Sequence, residues 1–127
     1  MRKTFMAASW KLAFGLLVMA PLLQAAQAQE IHCDKAETPD IKTVCHDPYL
    51  RKLEAIRAAL HADLAGYLKQ RRKEKPGWAE HWETRLFESE RGFARSRSEC
   101  GADPACIATL YENHNRNLMR LWRDILR

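Results

Sequence analysis

The sequence predicts an all-α fold: a small antiparallel helical bundle or hairpin of about three long helices plus one short N-terminal helix, stapled by two disulfides. Three observations lead to it. Apolar residues recur at three- and four-residue steps over long stretches, and no segment alternates as a half-buried strand would. A polar residue is followed by proline at Thr38-Pro39, Asp47-Pro48 and Asp103-Pro104, each a helix-start signature. Four cysteines, Cys33, Cys45, Cys100 and Cys106, stand as two close pairs.

Residues 1–28 read as a cleaved secretory signal. Arg2 and Lys3 form a basic start, Trp10 to Leu23 supply an apolar run, and Ala26-Gln27-Ala28 offers a small-residue cleavage site. The run is short of the roughly 20 residues that a membrane span needs. Residues 29–127 are then expected to form one domain, periplasmic or secreted, with no stable membrane insertion once the signal is removed. The first helix should open at Thr38-Pro39 and close near Cys45. The second should run from Pro48 to about Arg72, burying Leu50, Leu53, Ile56, Leu60, Leu64, Tyr67 and Leu68. Lys75-Pro76-Gly77 should stop it. A third helix is expected from Trp78 to about Ser98, with Trp78, Trp82, Leu86, Phe93 and Ala94 inward and Gly92 weakening its middle. The fourth should run from Pro104 to about Leu126 on Ile107, Leu110, Tyr111, Leu118, Leu121, Trp122 and Ile125.

An even number of cysteines in a small exported chain implies two disulfides. Four cysteines permit three connectivities; the local pairs Cys33–Cys45 and Cys100–Cys106 are the most economical. Charge narrows the function classes. The whole chain carries 21 lysines and arginines against 16 acids, formally +5. Arg2, Lys3 and Lys11 lie in the signal, which has no acid, so the remainder is only +2. That is too little for nucleic-acid binding driven by counterion release. The densest basic run, Lys69 to Lys75, reads as a solvated helix end complementing the helix dipole.

No phosphate-binding glycine loop, nucleophile elbow or haem-attachment motif is present, and Glu83, Glu88 and Glu90 read as solvated surface, so no enzyme and no cofactor are expected. His32-Cys33 and Cys45-His46 would suit zinc or copper, but disulfide formation removes the thiolates and no metal is expected. His61, His81 and His114 read as packing or surface residues.

Cys33-Asp34, Lys35-Ala36, Thr38-Pro39, Cys45, Asp47-Pro48, Leu50 and Leu53-Glu54, followed by Arg97, Cys100, Cys106, Tyr111 and Leu118, together resemble the LprI-type lysozyme inhibitor family. The likeness covers an N-terminal and a C-terminal block joined by a variable middle. It departs from the family pattern at Phe93, Ser98 and His114. The resemblance implies a secreted or periplasmic protein that binds a lysozyme and occludes it, with no catalytic residues and no known contact motif to carry over. A positive total charge gives no attraction to a cationic lysozyme, although Glu80, Glu83, Glu88 and Glu90 offer a local acidic face. The alternatives are a non-enzymatic envelope protein-interaction module that docks a partner through the Trp78 to Phe93 helix, and a metal-binding envelope protein.

Overall fold

Asp47 shows how local chemistry starts a helix in this chain. Its carboxylate accepts from the backbone N–H groups of Tyr49 at 2.8 Å and Leu50 at 3.1 Å, and Pro48 occupies the first helical position, where no donor is needed. Asp103 repeats the device with Ala105 at 3.0 Å and Cys106 at 3.2 Å, followed by Pro104. The computed structural model describes residues 31–127, so the expected signal at residues 1–28 and its cleavage after Ala28 lie outside the described residues. A short 3₁₀ turn, Cys33–Lys35, leads into α1 (Pro39–His46), α2 (Pro48–Arg71), α3 (Pro76–Glu99) and α4 (Pro104–Ile125). The all-α expectation is met: among the described residues there are four α-helices and no strand.

Two starts differ from expectation. Thr38 precedes Pro39, but its side chain makes no cap hydrogen bond to the helix backbone. At the other end of α2, Pro76 does not act as a stop. The helix has already ended at Arg71, and Pro76 is the first residue of α3, two positions before Trp78. Between α3 and α4 the chain turns at Gly101, whose φ of 58° lies in the left-handed region, and its N–H bonds the Ser98 carbonyl at 3.1 Å.

At about 1.5 Å per residue the 24-residue α2 and α3 are each about 36 Å long. α3 runs antiparallel to both α2 and α4, and α2 and α4 therefore run parallel: Glu54 meets Tyr111 and, farther along, Tyr67 meets Trp122. α1 packs across the end where α2 begins, and both disulfides, Cys33–Cys45 and Cys100–Cys106, lie at that end. These are the two local pairs that the sequence favoured.

Two apolar clusters fill the bundle. Val44, Leu50, Leu53, Phe93, Ile107 and Tyr111 form one at the disulfide end. Leu64, Leu68, Leu86, Leu118 and Ile125 form the other, bordered by Tyr67, Trp78, Trp82 and Trp122. Leu50, Leu64, Leu68 and Leu118 are fully buried, each side chain contributing about 1.5–3 kcal/mol on leaving water. Two expected core positions face solvent instead. Ile56 is 41% exposed, its place inside taken by the next residue, Arg57. Ala94 is exposed too, because Phe93 and Arg97 set the inward line of α3.

Candidate functional site: a buried polar layer and two unlike ends

Charged residues stand at positions where the helical repeat would place apolar ones, and the bundle joins them into a chain. Arg97 of α3 donates from Nε to Asp40 of α1 at 2.9 Å and from Nη1 to the Tyr111 hydroxyl at 3.3 Å. That hydroxyl donates to Glu54 Oε2 at 2.8 Å. Arg57 grips the same carboxylate with two bonds, Nε to Oε2 at 2.8 Å and Nη2 to Oε1 at 2.7 Å, and reaches across to Glu90 with Nη1. Glu90 Oε1 lies 2.8 Å from His114 Nε2. All four helices are thus tied by one network.

Phe93 sits within it. Its ring stacks on His114 at 4.3 Å and meets Tyr111 edge-on at 4.8 Å, and the Arg57 and Arg97 guanidiniums lie 6.0 and 5.5 Å from its centre. Beside it, Asn115 donates to the Leu53 carbonyl at 3.1 Å. Arg57, Glu90, His114 and Asn115 fall between the two apolar clusters along the helices, while Asp40, Arg97 and Tyr111 carry the network into the disulfide-end cluster.

The environment sets the charge states. Burial alone would raise the Glu90 carboxyl, but the hydrogen bond from His114 and the charge of Arg57 outweigh it and hold the group below its ordinary range. Asp40 is likewise held low against burial, by the Thr38 side chain and by Arg97. Burial and then the Glu54 charge push the Tyr111 phenol up, so it stays protonated and remains a donor. Burial lowers half-buried His61, which lies near Glu90, Arg57 and His114.

These positions revise several sequence expectations. Glu90, read as solvated, keeps only 10% of its side chain exposed and is doubly bonded, and Glu83 is paired with Arg72. Only Glu80 and Glu88 of the expected acidic face stay free, so that face does not form. His114 is core, His61 is half-buried and His81 is exposed beside Trp82. Cys33 and Cys45 are bonded to each other, leaving no thiolate beside His32 or His46, and the His46 Nδ1 sits 2.7 Å from the Lys42 carbonyl. Asp40, Arg57 and Asn115 were not singled out by sequence. Their available signal was register: Arg57 follows Leu53 by four residues, as Arg97 follows Phe93.

The α3 aromatics proposed for docking are engaged inside the protein. Trp78 and Trp82 pack edge-on at 6.4 Å, Trp78 meets Tyr67 at 6.5 Å, and Phe93 is buried. Phe87, 44% exposed, is the large apolar residue this helix leaves outward. No described helix is long and apolar enough to cross a membrane.

The two ends of the bundle differ in charge. Segments 31–59 and 88–115, at the disulfide end, hold eight lysines and arginines against ten aspartates and glutamates. Segments 60–87 and 116–127 hold ten against five. No family model, no curated protein and no solved structure matches this chain.

Proposed function

We propose that this is an exported, periplasmic or secreted binder of a peptidoglycan hydrolase, a lysozyme inhibitor in kind, acting by steric occlusion of the substrate cleft and not by catalysis. The observation that supports this reading is a convergence. Both disulfides and the residues Leu50, Leu53, Glu54, Arg97 and Tyr111, which carry much of the resemblance to LprI-type inhibitors, come together at one end of the bundle.

Asp40, Glu54, Glu90, Arg57 and Arg97 are taken up in the polar network at that end, which leaves seven acids against six bases on its surface. The basic surplus lies at the far end, so a cationic lysozyme approaching the disulfide end meets a nearly neutral surface and the positive total charge is no obstacle to docking. The buried network and the disulfides make the end rigid, which lowers the conformational cost of binding.

Lysozyme turbidity assays with the oxidised protein and c-type, g-type and i-type enzymes test the proposal. The expected result is inhibition of one class, lost when the disulfides are reduced. Unchanged activity of all three classes at micromolar excess, at low and physiological salt, would overturn it.

A further inference from the structure

The last turns of α4 place Arg116, Arg120 and Arg123 within about 60° of arc on the helix, opposite the buried line of Leu118 and Ile125, and Arg127 follows just beyond the helix end. Their charges are left largely unbalanced. Arg116 and Arg120 donate to the neutral amide oxygens of Asn113 and Asn117, and among the described residues only Arg127 of the four has a carboxylate near it, Asp124 at 3.9 Å. Along one flank of this stripe the helix exposes apolar side chains that the core does not use: Met119 is 47% and Leu126 57% exposed, with half-buried Trp122 beside them. Arg116, Met119, Arg120, Trp122 and Arg123 line an open groove of about 720 Å³. Exposed Lys69 of α2 and Lys73 just beyond its end lie at the same end of the bundle.

We infer that this face is a docking surface for a bilayer bearing anionic phospholipid headgroups. Arginines supply attraction to a negative surface potential, and the exposed Met119 and Leu126 side chains beside them enter the headgroup boundary, the combination that holds a helix at an interface without spanning it. A soluble polyanion would use the charges but leave Met119 and Leu126 without a role. Single-stranded nucleic acid would need free ring faces to stack on, and Trp122 is instead packed against Tyr67 at 5.2 Å. The surface lies at the end opposite the one assigned to the hydrolase, so the inference does not depend on that assignment.

Co-sedimentation of the purified oxidised protein with vesicles of equal parts phosphatidylglycerol and phosphatidylcholine, against phosphatidylcholine alone, tests it. Binding to the anionic vesicles only, accompanied by a blue shift of tryptophan emission and weakened by salt, is expected. The pair R120E/R123E should weaken binding by about tenfold or more. M119S/L126S should weaken it while leaving charge intact, and R91E/R95E, which makes the same charge change at the other end, should leave it unaltered. Circular dichroism verifies the fold of each variant, and R120Q/R123Q replaces the glutamate pair if that pair unfolds. Equal binding to both vesicle types, no binding, equal loss with R91E/R95E, or indifference to M119S/L126S would each overturn the inference; the last would mark the face as a general polyanion site.

Discussion

Replacing Arg57 by methionine removes a guanidinium that is 2% exposed and keeps a side chain of similar length in its place. Three hydrogen bonds disappear, two to Glu54 and one to Glu90. Glu54 is left with the Tyr111 hydroxyl and Glu90 with His114, both carboxylates still largely out of water. Breaking one side of a buried ion pair costs about 3–5 kcal/mol, because the partner charge stays buried without compensation. Arg57 serves two partners, so the upper part of that range is expected. Urea unfolding followed by circular dichroism measures it, with the slope unchanged if only stability is altered.

The pH profile separates this cause from simple loss of packing. In the native protein Glu90 is held below its ordinary value of 4.5, so its stabilisation is complete above that value and is lost as pH falls through the lower folded-state value. Without Arg57, Glu90 loses one of the charges that hold it low, and the variant loses less stability than the wild type as pH falls through the carboxylate range. The gap between wild type and R57M should therefore narrow toward acid pH. A gap below about 1 kcal/mol at neutral pH, or one that does not change with pH, would refute the assignment of Arg57 as the charge that compensates Glu54 and Glu90.

Three further outcomes follow from the same structure. Gly92 is exposed in the interior of α3 and an added Cβ meets nothing within 4 Å, so Gly92→Ala should stabilise by about 0.5–1 kcal/mol, read as a higher urea midpoint. Ile56→Gln should change stability by less than about 0.5 kcal/mol despite its place in the apolar repeat, because the residue faces solvent; a loss above about 2 kcal/mol in thermal unfolding would contradict its placement. Replacing Cys100 and Cys106 together by serine opens a loop of sequence separation 6 and should cost about 2–3 kcal/mol on the loop-closure account, with the helices retained by circular dichroism.

Helix starts were legible wherever a cap acts through its own neighbours. Asp47 and Asp103 bond amides two and three residues ahead, so sequence alone locates the entries to α2 and α4. The local cysteine pairs were legible for a similar reason, since short separations bring sulfurs together with little chain to order. Pro76 was misread because proline both stops and starts helices, and the choice depends on where α2 has already ended.

What the amino-acid pattern could not decide was which residues of each stripe face inward and what opposes them. The period of 3.6 gives the direction of a face to within about one residue, and α2 packs against α1, α3 and α4, so its buried arc is broad and contains Arg57 where Ile56 was expected. A charge in that arc is tolerated only if an opposite charge arrives from elsewhere. Glu90 reaches Arg57 from 33 residues away, and Asp40 reaches Arg97 and Glu54 reaches Tyr111 from 57. Likewise, the acid-rich and base-rich ends are scattered along the chain and become two surfaces only when α3 runs back against α2 and α4. The sequence by itself located the helices, the Asp47 and Asp103 caps and the favoured cysteine pairs, because those depend on near neighbours; the polar layer and the two unlike ends depend on distant residues meeting, and only the tertiary structure decides those.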